Sequence, residues 1–340
     1  MPGRSPTAIH VSWLKRDDGE LGGVEKFAAY LRVALQERGW AVAVISWNDF
    51  PQAAKFAQIS NPDKALILGR WLDGPTFGMA YDVAVSDGYW GLGITSHPVV
   101  PVVHGTWAEF HTRMGLRPTL EVQRQGEAFN APNAFPIACS AAAAREVRRH
   151  HGRVVTATIL HGIDLAAYHP PAPDAYPPDP PPWVVLHAAS NEKKGLRLIP
   201  QVGHLLGPDY DLQYLNAGLG QEPVAFRRGH LFLHPTRHEG NAYATLEALA
   251  TNLPVVTTRS GIFEDIPYTP DGQTAVGFTL PITATPEQYA SAIRQTCARL
   301  QSGYWGHRPR GWAEQNANMT AFADAWDTAL RQIIGVARET

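Results

Sequence analysis

The chain has 340 residues, of which 44% are hydrophobic and 18% charged, and its formal net charge is -2. This is an ordinary globular composition, long enough for two domains, with no basic field to draw in nucleic acid. Two cysteines, Cys139 and Cys297, argue against a disulfide framework and fit a reducing compartment.

The start, MPGRSPTAIHVSW, lacks the apolar run of a secretory signal. No window approaches 18 uninterrupted apolar residues. The expectation is a cytoplasmic chain without a transmembrane segment. Residues 8–13 (AIHVSW) form the first expected strand. The loop after it ends in Gly22-Gly23. A helix follows, with Val24, Phe27, Ala28, Leu31 and Leu35 at helical spacing and Gly39 as its stop. Paired glycines at a helix mouth let a phosphate reach exposed N–H groups; a flexible turn explains them equally well.

Further strands are expected at 41–47, 65–69, 83–86, 98–105, 135–140 and 157–162. His104 leaves the buried run PVVPVV toward a loop. There it would donate to a sugar hydroxyl or a developing charge, or only satisfy a local bond. The basic run Arg145 to Arg153 (REVRRHHGR) reads as a solvated helix end, with an anionic acceptor as the sharper alternative. Residues 170–182 (PPAPDAYPPDPPP) cannot enter a helix interior or a central strand, so they read as a stiff linker and domain boundary.

In the second half, strands are expected at 183–189, 212–218, 231–235 and 254–258. Helices are expected at 195–206, 242–251, 286–301 and 312–335. Alternating apolar strands and helices predict parallel sheets covered on both faces. Two such sheets facing a central cleft would bind ligand beyond the strand C-termini.

The loops after strands therefore carry the site. Lys194, in SNEKKG, is placed to neutralise phosphate. In HEGNAYATLE the free N–H groups of Gly240, Asn241, Ala242 and Tyr243 open a helix. Glu239 stands in the loop, where it can meet sugar hydroxyls. Glu247 lies about two turns along the helix, in reach of a diol such as ribose. The 14 histidines and two cysteines contain no HExxH, no HxH and no cysteine cluster, so no metal and no cofactor are expected. Leaving-group charge would fall to Lys194, the helix dipole and backbone N–H groups.

The stretch from Pro235 to Val256 (PTRHEGNAYATLEALATNLPVV) resembles the E-x7-E signature of retaining glycosyltransferases of the GT-B fold, family 4. Weaker likenesses run in the family's order: Gly22-Gly23-Val24-Glu25, Val103-His104-Gly105, the stretch from Ile159 to Asp164, Glu192-Lys193-Lys194-Gly195 and the stretch from Gly261 to Ile266. The resemblance implies an α/β protein of two Rossmann-like, doubly wound domains. The expected layout is an acceptor domain over 1–170, a linker over 171–182, a donor-nucleotide domain over 183–315 and a helix over 316–340 that returns to the first domain. It also implies metal-free transfer of a hexose from a UDP- or GDP-sugar to an acceptor hydroxyl, with retention of configuration. Glu239 and His104 would contact the donor sugar, Lys194 the diphosphate and Glu247 the ribose.

Two departures stand out. Ala189 takes the place of an arginine usual before this lysine, with Arg237 as a substitute, and EGNAY replaces EGFGL. The span 206–231 is also short. The alternatives are a GT-B sugar-nucleotide epimerase and a degenerate sugar-nucleotide-binding subunit. A small molecule or glycan is expected as acceptor, ahead of a lipid or modified DNA. Its loops hold Trp13, Trp71, Tyr89, Trp90 and Trp107. Nothing in the sequence sets the oligomeric state.

Overall fold

A computed structural model describes residues 4–14, 22–172, 180–215 and 221–339. The chain forms two compact units, residues 1–162 with 320–340, and residues 163–319. The loop 15–21 and most of the proline-rich segment (173–179) lie outside the described residues.

The first unit runs β1 (Thr7–Ser12), α1 (Gly23–Glu37), β2 (Ala41–Ser46), α2 (Asn61–Leu72), β3 (Val83–Asp87) and β4 (Val99–Val103). It continues through α3 (Trp107–Met114), α4 (Leu120–Asn130), β5 (Ile137–Ala138), α5 (Ala141–His151) and β6 (Ala157–Thr158). All its strands are parallel, in the order β2-β1-β3-β4-β5-β6. The second unit runs β7 (Trp183–His187), α6 (Leu198–Leu206), β8 (Tyr210–Tyr214), α7 (Glu222–Phe226), β9 (Leu231–His234) and α8 (Tyr243–Ala250). After these come β10 (Val255–Thr258), β11 (Gln273–Thr274), β12 (Gly277–Leu280), α9 (Pro286–Gln301) and α10 (Arg308–Asn316). Its order is β11-β12-β10-β9-β7-β8, with β11 alone antiparallel. The last helix, α11 (Met319–Glu339), groups with the first unit.

Both sheets share one logic. The chain starts in the middle, lays one strand to one side, then reverses and builds to the other. The reversal falls between β1 and β3 in one unit and between β7 and β9 in the other. Loops leaving those strands diverge, which opens a crevice at their C-terminal ends.

The expected strand at 65–69 is a correction: ALILG lies inside α2. Five apolar residues are too few for periodicity to decide. The flanks decide it: the Ser60 hydroxyl accepts from the Asp63 N–H and Pro62 stands in the first turn. Ala65, Leu68 and Leu72 then recur at helical spacing and are buried. The expected helix 312–335 is also two helices, α10 and α11, separated at Ala317 and Asn318.

The break between the units falls at 162/163, earlier than the expected 171–182. Residues 163–170 are tied to the second unit. The Ile163 N–H donates to the Ala317 carbonyl at 2.7 Å. Arg310 donates to the carbonyls of Leu165 (3.0 Å), Tyr168 and Ala250 (2.7 Å). On the other side α11 packs on α1: Trp40 Nε1 donates to Asp327 Oδ1 at 2.6 Å, and Phe27 meets Phe322 and Trp326. No helix among the described residues is long and apolar enough to cross a membrane.

Candidate functional site

The second unit presents a small, partly open pocket just beyond β9. His234, Thr236, Glu239, Gly240, Ala242 and Ser260 contribute to its wall. Its shape follows from local bonding. The Arg237 N–H donates to the Lys193 carbonyl at 2.8 Å, and the Thr258 hydroxyl donates to the Thr236 carbonyl. The Glu239 N–H donates to Ser260 Oγ at 2.9 Å. Two glycines allow these layers to touch. Gly261 has φ +59, and a Cβ there would lie 2.4 Å from the Gly240 carbonyl oxygen; at Gly195 (φ +77) it would lie 2.6 Å from the Pro235 oxygen.

The electrostatics are specific. Helix α8 opens at this pocket with no side-chain cap and no acid in its first turn. Its positive end is therefore uncompensated by its own side chains. Lys193 Nζ lies 3.7 Å from Glu239 Oε1, and His234 Nε2 lies 4.0 Å away. Burial is the largest single influence and would raise the Glu239 carboxyl, but Lys193, His234, Lys194 and His238 together outweigh it and hold the group below the usual carboxylate range. Glu239 is thus an ionised, acceptor-only group. His234 is 3% exposed, and neither ring nitrogen has a hydrogen-bond partner. Burial pushes it down to about 4, so it is neutral near pH 7 and offers one donor and one acceptor.

The first unit brings a second set of groups to its own strand ends. His104 follows β4, and its Nε2 meets Asp87 Oδ1, at the end of β3, at 3.0 Å. His10 Nε2, from β1, lies 3.1 Å from the same oxygen. Burial would raise Asp87, but His10 and then His104 hold it well below the carboxylate range. Phe27 covers His104 and His161, with ring centroids 4.9 and 5.2 Å away. Among the described residues, His104, Cys139 and His161 form a group able to hold a metal, their ligand atoms all within 4.8 Å of one another.

A family model described as glycosyl transferases group 1 matches residues 219–299. No curated protein matches the chain by sequence. Solved structures match over nearly its whole length. Sucrose-phosphate synthase from Thermosynechococcus elongatus aligns with TM-score 0.74 at 14% identity, covering 98% of this chain and 100% of that one. A glycosyltransferase from Rickettsia africae aligns with TM-score 0.70 at 12% identity, covering 98% and 99%. Anabaena HepE, solved with UDP and glucose, aligns with TM-score 0.67 at 14% identity, covering 95% and 99%. The fold is GT-B.

Within this GT-B chain, the residues singled out from the sequence fall into three groups. Glu239, Gly240 and Ala242 line the pocket of the second unit. Asn241 and Tyr243 belong to the same turn and are 5% exposed each. Lys194 ends the 3-10 turn after β7, and it is its neighbour Lys193 that pairs with Glu239. Arg237 is exposed beside that turn. Glu247 lies one turn into α8, not two, because the helix starts at Tyr243. It is 4% exposed, does not line the pocket, and accepts from the Tyr168 hydroxyl at 2.9 Å. His104, Gly22 and Gly23 are in the first unit, where Gly22 caps α1 and Gly23 is its first residue.

Ala189 is buried in the apolar cluster over the second sheet, 2% exposed. Of the aromatics expected near an acceptor, Tyr89 and Trp90 are core at 6% exposure each, while Trp107 is 39% exposed. The basic run is partly spent internally: Arg149 and His150 of α5 meet Glu109 Oε2 at 3.0 and 2.7 Å. Sequence reasoning missed His234, Lys193 and Tyr168. His234 ends a wholly buried strand, and a histidine in such a run was the available signal.

His234 also predicts a pH dependence of stability. The unfolded imidazole takes a proton below about 6.5, whereas the folded one waits until about 4. Between those values the unfolded state binds the extra proton, so stability falls as pH drops from about 6.5 to about 4. The loss is at most about 3 kcal/mol. Urea titrations of wild type and His234→Asn between pH 7 and pH 4 read it. Equal slopes for the two proteins would show that His234 does not titrate in this way.

Proposed function

We propose that this protein is a retaining glycosyltransferase that moves a hexose from a UDP- or GDP-sugar to an acceptor hydroxyl without a metal. One observation carries the reading: an ionised, acceptor-only carboxylate, Glu239, stands beside the uncapped start of α8 in a single pocket. Amides and a positive helix end attract an anion. A carboxylate that can only accept requires a ligand with donors. A ligand that is anionic at one end and rich in hydroxyls at the other satisfies both. The group 1 match over this segment and a structural neighbour solved with UDP and glucose support the choice of a nucleotide sugar.

In this reading Gly240, Asn241, Ala242 and Tyr243 meet the diphosphate, together with Lys193 and Lys194. Arg237 supplies further positive charge where Ala189 lacks it. Glu239 and neutral His234 hold the sugar hydroxyls. Glu247 meets the ribose, its rotamer fixed by Tyr168. His104 contacts the sugar near the reacting carbon. The bond between C1 and the phosphate oxygen breaks, and the acceptor oxygen bonds C1 on the same face. The acceptor proton passes to the leaving phosphate oxygen. A small molecule or glycan is the acceptor class proposed.

A panel of UDP- and GDP-sugars, each with and without EDTA, tests the proposal. The expected result is release of nucleoside diphosphate from at least one donor, at an unchanged rate under chelation, with the α-linked product retained. Binding without turnover across the panel would favour a degenerate binding subunit, for which Ala189 is the motivation. Inversion at C2 of the free sugar nucleotide would point to an epimerase. Loss of activity with EDTA would overturn the metal-free mechanism.

A further inference from the structure

We propose that His104, Cys139 and His161 form a binding site for a soft divalent cation of the zinc type. The sheet order brings them together. β4, β5 and β6 are adjacent and parallel, and each of the three residues follows the C-terminal end of one of them. Their ligand atoms all lie within 4.8 Å of one another. A tetrahedral zinc with two imidazoles and one thiolate places its ligand atoms roughly 3.3–3.7 Å apart, so side-chain movement on the order of 1 Å closes the set.

Three further features fit an ion rather than a chance cluster. The Nε2 of His104 donates to Asp87, which leaves Nδ1 for the metal. A carboxylate behind a ligating imidazole fixes its tautomer and raises its basicity. Asp87 is buried and in contact with His104, so its carboxylate also offers charge compensation close to a cation. Cys139 and His161 are 1% and 3% exposed, while the His104 side chain keeps 19%, so an ion has a way in on the His104 side. Two imidazoles and a thiolate select zinc, copper or iron over magnesium and calcium. Binding requires the thiolate: Cys139 loses its proton to solvent as the S–metal bond forms.

The site shares His104 with the proposed transferase site, so an ion and a donor sugar would compete for that imidazole. Cobalt occupancy is read without turnover, which keeps failure of this inference distinguishable from failure of the transferase reading. Cobalt(II) titration of the full chain, after chelation and removal of the chelator, is the test. The expected result is about one equivalent bound in tetrahedral geometry, with a thiolate-to-cobalt charge-transfer band that Zn²⁺ bleaches. Cys139→Ala should abolish the band, and Cys297→Ala should keep it, since burial pushes the Cys297 thiol up to about 12. Asp87→Asn should keep the band and weaken cobalt binding by about 10–100-fold. If Cys139→Ala does not fold, as judged by circular dichroism, loss of the tetrahedral spectrum in His161→Asn takes its place. No thiolate band in the saturated wild type, or a band that survives loss of Cys139, overturns the site.

Discussion

Replacing Glu239 with alanine is expected to cut turnover of a nucleotide-sugar donor by about 10²–10³-fold, or about 3–4 kcal/mol of transition-state stabilisation. Its Oε1 is the point on which Lys193 and His234 converge in the pocket beyond β9. Its charge is acceptor-only, so every hydroxyl it holds is bonded in one sense. In the proposed reading those bonds strengthen as positive charge develops on the sugar ring, so the effect is expected to be larger on kcat than on KM. The fold should survive. Glu239 keeps 18% side-chain exposure, and its ion pair with Lys193 at 3.7 Å is too long and too wet to contribute much stability. Glu239→Gln, which keeps the shape and exchanges one acceptor for a donor, should fall between wild type and alanine. Steady-state kinetics with a melting curve for each variant decide it. Near-normal turnover in a folded Glu239→Ala protein would remove the residue from the site.

Arg310→Met is expected to destabilise the second unit by about 3–5 kcal/mol. The guanidinium holds the carbonyls of Leu165, Tyr168 and Ala250 together, and its Nε donates to Glu314 at 2.7 Å. Only 12% of its side chain is exposed. Methionine keeps the stem and leaves those carbonyls unsatisfied. One of them, Ala250, ends α8, where a cation also complements the helix dipole. The consequence reaches the site. Arg310 anchors the segment carrying Tyr168, and Tyr168 orients Glu247. Urea unfolding should show the stability loss, and the surviving folded protein should bind donor more weakly. A change under about 1 kcal/mol would mean that water replaces the guanidinium, because an exposed loss of this kind is nearly neutral.

The parallel sheets were legible because each buried strand is a near-continuous apolar run, as in LFLH and VVPVV. Such runs survive any tertiary arrangement. The pocket was legible for the same local reason. Glu239 and the start of α8 are separated by only a few residues, so the turn that joins them sets their geometry. The strand assigned at 65–69 shows the opposite case. There the apolar run was short, and the cap at Ser60 with the surrounding core settled a helix. Glu247 was placed too far along the helix: it stands four residues from the observed start at Tyr243, about one turn at roughly 3.6 residues per turn.

By itself the sequence determined the α/β class, the strands that end at the site and the turn that carries Glu239. Each of these depends on interactions within a few residues. Only the tertiary structure decided that Lys193 rather than Lys194 faces Glu239, and that Tyr168 meets Glu247 across 79 residues. It alone brought His104, Cys139 and His161 to one place. Strand order and register fix those meetings, and neither is written in local spacing: parallel neighbours are joined by long crossovers, so residues far apart in the chain become neighbours only once the sheet has formed.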